Sequence, residues 1–228
     1  MKILLALGVF CLPLLMKAET PANRINNAAD VISEVMSAPD KGIPLNLLSR
    51  AQCIVIVPGV KSVAFIGGAK YGKGFFSCRN GGGSHWSAPG SVRIEGGSVG
   101  FQIGLLESDL VLLVMNRKGA QRLLSDQFTL GGNAEVAAGP VGRSSTAQTD
   151  LSLRAGMLSY SRARGLFAGV SLQGATLRQD ISDNTELYGR PLRNKEIING
   201  GVPWPAAGSE LHSTLERYAK RASRRRRR

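Results

Sequence analysis

A long middle stretch of short apolar segments constrains this chain most. Cys53 to Val57 is a continuous, largely β-branched run closed by Pro58-Gly59, which reads as a buried strand followed by a turn. Val63 to Lys70, Gly74 to Arg79, Ser91 to Glu95, Val99 to Leu106 and Leu110 to Met115 follow as strand-like segments separated by Gly, Ser, Asn and Asp. Two-residue alternation at Val92 and Ile94, and again at Phe101, Ile103 and Leu105, marks half-buried antiparallel strands. Ala155 to Tyr160 and Leu166 to Leu172 add two more, beyond a small, Gly-rich segment from Gly131 to Gly142.

Helical spacing lies mostly towards the two ends. Ile25, Ala28, Ala29, Ile32, Val35 and Met36 recur every three or four residues, which makes one apolar face of a helix. Pro44 suits the first turn of a short helix over Leu45 to Arg50, and Asn116 caps another over Lys118 to Leu124. Ile181 to Tyr188 and Glu210 to Ala222 read as helices near the end. The expected fold class is α+β: a single domain with a mostly antiparallel curved sheet or partial β-barrel, covered by N- and C-terminal helices. At 228 residues with 43% hydrophobic side chains, the chain has ample material for that core and is not disordered.

The charge is unevenly placed. The formal net charge is +13, but the last twelve residues hold eight cations and no acid, and without them it falls to +5. Residues 217–228 are therefore expected to be a disordered, Arg-rich tail kept solvated by mutual repulsion, able to meet any polyanion. At the other end, residues 1–18 resemble an export signal: Lys2, an uncharged run from Ile3 to Met16, then Ala18. Cys11 follows the bulky Phe10, a poor context for lipid attachment. The expected organisation is a signal peptide over 1–18, a domain over 19–216 and the tail. The expected location is outside the cytoplasm: periplasmic, outer-membrane-associated or secreted. Removal of the leader leaves Cys53 and Cys78, which either pair as a disulfide or remain buried thiols.

Motifs with chemical meaning are weak. Gly67 to Gly74 nearly spells a phosphate loop, but Gly74 stands where a hydroxyl must hold magnesium, and a strand follows where a helix is needed. Gly96-Gly-Ser98-Val-Gly100 matches the nucleophile motif of serine hydrolases, yet the segment after Ser98 alternates as a strand. His85 and His212 have no ligand set at metal spacing, and Glu107 and Asp109 read as a solvated strand edge rather than a catalytic pair. Trp86 reads as a core anchor. No catalytic residue, metal or cofactor is expected.

The ordered set of short runs resembles the SYLF domain family. It includes Ile43-Pro-Leu-Asn-Leu-Leu-Ser-Arg-Ala51, Cys53-Ile-Val-Ile-Val-Pro-Gly59 and Gly67-Gly-Ala-Lys-Tyr-Gly-Lys-Gly74. Trp86-Ser-Ala-Pro89, Gly96-Gly-Ser-Val-Gly-Phe-Gln-Ile-Gly104, Asp109-Leu-Val-Leu-Leu-Val-Met-Asn116 and Gly139-Pro-Val-Gly-Arg143 continue it. Tyr160-Ser-Arg162, Gly165-Leu-Phe-Ala-Gly-Val-Ser-Leu172 and Leu187-Tyr-Gly189 complete it, over most of residues 25 to 190. The resemblance implies a lipid-binding domain, with a membrane-active amphipathic helix that maps onto Arg24 to Met36. Eukaryotic members bind phosphoinositides and some bind actin, whereas bacterial members often carry an export signal, and an exported protein would not routinely meet actin.

The resulting expectation is a non-enzymatic protein of the cell envelope or secreted space that binds anionic phospholipid headgroups. Lys61, Lys70, Lys73 and Arg79, around the glycine turns, are the expected headgroup contacts. Ile25, Ile32, Val35 and Met36 are the expected apolar membrane contacts. The expected partner is an anionic phospholipid membrane surface, with other envelope polyanions open and no specific nucleic acid. The alternative is a structural or scaffold protein of the envelope, tethered by its Arg tail to anionic polymers.

Overall fold

A computed structural model describes residues 19–37, 42–64, 68–79, 85–98, 104–131, 136–141, 155–163, 166–170, 172 and 174–226. The expected leader, residues 1–18, lies outside them. Two helices, α1 (Pro21–Ser37) and α2 (Leu45–Arg50), precede the strands β1 (Cys53–Ala64), β2 (Gly68–Cys78), β3 (Gly90–Ser98) and β4 (Gly104–Val114). Next come α3 (Arg117–Leu123), β5 (Gln127–Thr129), β6 (Val136–Ala138), β7 (Met157–Ala163), β8 (Leu166–Gly169) and β9 (Thr176–Gln179). The chain closes with α4 (Ile181–Tyr188), α5 (Asn194–Asn199), a 3₁₀ turn over Ala206–Gly208 and α6 (Ser209–Arg226). The strands form one sheet in the order β5-β9-β3-β2-β1-β4-β7-β6, with β8 also paired to β7. Among the described strands, only β6 runs parallel to its neighbour, β7. The sheet curls into a half-barrel, the expected α+β architecture.

The curl gives the sheet two apolar faces. Ile54, Ile56, Phe75, Val111, Leu113, Leu158 and Tyr160 pack outward beneath α1, α2 and α6. Val55, Val57, Phe76, Val92, Ile94, Leu112 and Val114 pack inside the curl with Leu123 of α3 and Leu130. A strand buried on both sides cannot alternate, which is why Cys53 to Val57 reads as an unbroken apolar run. Cys53 and Cys78 stand directly opposite in the β1–β2 ladder and form a disulfide.

Pro58-Gly59 does not end β1. The strand passes through it as a bulge, and its registers with both β2 and β4 slip there. Gly59 takes φ 58°, and its N–H donates to Asp109 Oδ1 at 3.0 Å. A proline, which has no N–H to donate, fits a point where the ladder is already broken. The bulge also explains the glycines of the phosphate-loop lookalike. A Cβ on Gly72 would lie 2.9 Å from methyls of Val57 and Val60, and one on Gly74 would lie 2.1 Å from the Ile56 carbonyl oxygen. These glycines admit the neighbouring strand rather than an anion.

The tail boundary at 217 also moves. Residues 217 to 226 continue α6, and Tyr218, Ala219 and Ala222 are buried. Like-charge repulsion favours a solvated coil here, but one face of the segment packs against α1 and α2 and keeps it helical. Arg227 and Arg228 lie outside the described residues.

Candidate functional site

The four expected headgroup cations do not form one patch. Lys73 reaches Asp180 Oδ2 at 2.8 Å and Asp183 Oδ1 at 2.9 Å, and the second carboxylate also pairs with Arg24 of α1. Burial alone would lower the Lys73 pKa, but the two carboxylates outweigh it and raise it. Burial would likewise raise Asp180, whereas the hydrogen bonds from Lys73 and the Asp183 N–H, with the Lys73 and Arg93 charges, hold it below the usual carboxylate range. Arg79 donates to the Ala51 and Leu48 carbonyls at 2.9 and 3.1 Å, and its guanidinium lies 4.4 Å from the centre of the Trp86 ring. Lys73 and Arg79 thus serve the fold. Lys61 is exposed and Lys70 half-buried. They lie on opposite faces near the β1–β2 hairpin end, since Lys61 is paired with Tyr71 and Lys70 with Ser62. Desolvation lowers the Lys70 pKa.

The expected membrane contacts on α1 face the domain's own core. Ile25, Ile32 and Val35 are buried against the outer sheet face, and Met36 packs at the edge of the same cluster. Two ion-pair sets fix the helix. Near its start, Arg24 bonds to Asp183 and to the Glu19 carbonyl. Near its end, Glu34 meets Arg162, which donates to Asp109 Oδ2 at 2.6 and 2.9 Å. Asp109 is therefore not a solvated strand-edge residue: it ties the bulge, β4, β7 and α1 together. Contact between a membrane and these apolar side chains requires α1 to leave its seat.

A bare apolar surface lies elsewhere, on the same sheet face. Val63 is 53% exposed, Tyr71 48% and Leu105 69%. Val63 stands opposite Ala69 on one side and Leu105 on the other, and Tyr71 stands opposite Lys61. These residues lie where β1, β2 and β4 run on past the helical cover, with Lys61 and Glu107 beside them. The alternation at Phe101, Ile103 and Leu105 suggests a face for burial, but Leu105 is left open. Val63, Tyr71 and Leu105 are the residues that sequence reasoning missed.

Other motifs resolve structurally. Ser98 is the last residue of β3, a strand and not a nucleophile elbow, and a Cβ on Gly96 would come 2.9 Å from the Ala175 Cα. Trp86 is buried as expected. Among the described residues, no group of three His, Cys, Asp or Glu side chains is placed to hold a metal ion, and no helix is long and apolar enough to cross a membrane.

Residues 95–218, from β3 into α6, match the family model described as "Ysc84: Las17-binding protein actin regulator". That match spans more than half of the chain. The chain belongs to the Ysc84 (SYLF) family. Relatives in this family include human SH3 domain-containing YSC84-like protein 1, 34% identical over 186 residues, covering 81% of this chain and 54% of the relative. The Xenopus laevis protein of the same name is 35% identical over 188 residues, covering 81% of this chain and 55% of the relative. LAS seventeen-binding protein 3 of Saccharomyces cerevisiae is 32% identical over 212 residues, covering 91% of this chain and 46% of the relative. The chain thus spans about half the length of the Ysc84 relatives it matches. The Ysc84 match stops at residue 218, so the arginine run lies beyond it.

Proposed function

We propose that this chain is a non-enzymatic binding module that docks on anionic phospholipid surfaces through the bare end of its sheet. The observation that carries this reading is the exposure of Val63, Tyr71 and Leu105 on one face beside exposed Lys61. Isolated exposed apolar residues are ordinary, but a contiguous group at a strand end is a feature of interaction surfaces. Apolar side chains would enter the headgroup region, and Lys61 and Lys70 would meet phosphates from the two sides of the hairpin. Each lysine near an anionic surface is worth ~1 kcal/mol, so apolar burial must supply most of the affinity.

The leader-like sequence of residues 1–18 and the disulfide favour action outside the cytoplasm, because a disulfide persists best in an oxidising compartment. The Las17-binding description of the family favours a second reading, in which the bare end receives a protein segment. Co-flotation separates the two. The lipid reading expects the chain to rise with phosphatidylserine-containing vesicles and to remain partly bound when salt screens charge. Recovery at the bottom of the gradient with every vesicle composition contradicts it and leaves the protein-partner reading.

A further inference from the structure

On the outer sheet face a polar field runs from β2 to β5. Val92 and Ile94 of β3, Leu177 of β9 and Phe128 of β5 pack inside the curl, so their strand neighbours point outward. Register places Lys73, Arg93, Arg178 and Gln127 in one row across β2, β3, β9 and β5. Glu95, Thr176 and Thr129 form the next row. Cations directly opposite one another destabilise a sheet, so each needs a counter-charge. Lys73 has Asp180 and Asp183. Arg93 and Arg178 share a single carboxylate: their Nε atoms lie 2.7 and 3.2 Å from the two oxygens of Glu95. Asp180 feels the Arg93 charge but is bonded to Lys73, and Asp126 is engaged by Gln179 and Arg193. Two guanidiniums against one carboxylate leave a positive charge in surplus. Among the described residues neither guanidinium donates a hydrogen bond to a protein acceptor, and the two side chains are 37% and 42% exposed, which leaves their terminal N–H groups to solvent. The Oγ1 atoms of Thr129 and Thr176, 3.3 Å apart and open to water, add hydroxyl donors beside them.

We infer that Arg93 and Arg178, oriented by Glu95 and flanked by Thr129 and Thr176, form a binding site for a single phosphate group. A phosphomonoester carries close to two negative charges and three strong acceptor oxygens, and a guanidinium fork meets two of them in parallel. Two forks and two hydroxyls therefore match one phosphate, whereas a carboxylate would occupy one fork and leave the other idle. The opposed arginines start ~5 Å apart at the backbone and the threonine row lies ~7 Å along the strands, a span suited to one phosphate rather than to a polyanion backbone. That phosphate belongs either to a lipid headgroup or to a soluble molecule. Tyr71 of the bare end stands opposite Glu95, so a lipid docked there brings its headgroup within one row of the arginines. The site itself stands on its own donors and does not require the bare end to reach a bilayer.

The test uses the full chain, R93Q/R178Q, and R93K/R178K, which keeps both charges but removes both forks. Thermal unfolding checks that each variant keeps the fold. Arginine Nε–H and backbone amide resonances are followed during titration with inorganic phosphate, against chloride at matched ionic strength. The expected result is saturable shifts at Arg93, Arg178 and Thr176 with phosphate alone, weakened at least about tenfold in R93K/R178K and lost in R93Q/R178Q. Vesicles of phosphatidylcholine with phosphatidic acid, whose headgroup is a phosphomonoester, separate the two sources. Vesicle binding at least about tenfold weaker in R93K/R178K assigns the phosphate to a lipid. Unchanged vesicle binding, beside the same phosphate shifts, assigns it to a soluble molecule. Phosphate shifts that persist in V63D/L105D support the site independently of the bare end. Absence of saturable shifts at these residues in the unmodified chain, or equal phosphate affinity in all three folded proteins, overturns the site.

Discussion

The two ends of the β1–β2–β4 sheet use similar residues to different effect. At the end with Cys53, Cys78 and Val114, the outer face carries Ile54, Phe75 and Leu113, all buried under α1, α2 and α6, and a disulfide crosses the ladder. At the other end the same face carries Val63, Tyr71 and Leu105, in register on the same strands, with none of the described helices over them. Strand periodicity decides which face a side chain occupies, and the extent of the helical cover decides whether that face reaches solvent. Apolar residues at the covered end contribute to folding; those at the bare end remain in contact with solvent.

This contrast is broken most forcefully by truncating one leucine at each end. Leu113→Ala removes a fully buried side chain and is expected to cost about 3 to 4 kcal/mol in denaturant unfolding. Leu105→Ala, with 69% of the residue already exposed, should change stability by less than about 0.5 kcal/mol. Comparable losses at both positions would show that the bare end is covered in solution. The disulfide closes a loop of sequence separation 25, so replacing both Cys53 and Cys78 with alanine should cost about 3 kcal/mol, read as a lower unfolding midpoint.

The ion pairs under α1 sharpen the same comparison. Lys73→Met takes from buried Asp180 the cation bonded to it and leaves only the charge of Arg93 nearby, and should cost about 3 kcal/mol near neutral pH. The pH dependence has a defined sign. Asp180 is depressed in the fold, so its contribution is present above the ordinary carboxylate range and is lost as pH falls through its folded value, below about 4. Lys73 is raised, so its contribution persists below the usual lysine range and fades only as pH climbs through the raised value, above about 10. Thermal unfolding across pH should therefore show an acid limb that flattens in Lys73→Met. An unchanged acid limb would assign acid sensitivity to other carboxylates.

Much of the frame was legible in the residues. The three- and four-residue spacing of Ile25 to Met36 marks the apolar face of α1, and the β-branched run at Cys53 marks a doubly buried strand. Periodicity does not reveal partners far apart in the chain. Arg24 and Asp183 are 159 residues apart, and Lys73 and Asp183 are 110 apart, so the network seating α1 emerges only with the fold. Lys73 and Arg79 look like free cations in sequence for the same reason. Pro58-Gly59 looks like a turn because its two residues are turn formers, while the strand pairs on both sides that carry the chain through it are non-local. Strands β5 and β6, of three residues each, are too short to display a period. The bare end was hidden because alternation assigns a face without saying where α1 stops.

The most direct test of the central claim, that the bare end is the lipid-docking surface, is flotation of V63D/L105D beside the unmodified chain. Both would be mixed with phosphatidylserine-containing vesicles in salt high enough to screen the α6 cations. Placing two carboxylates where apolar side chains should enter the headgroup region is expected to cut vesicle binding by more than about tenfold. The thermal midpoint should remain close to that of the unmodified protein. Undiminished flotation of a folded V63D/L105D would contradict the account.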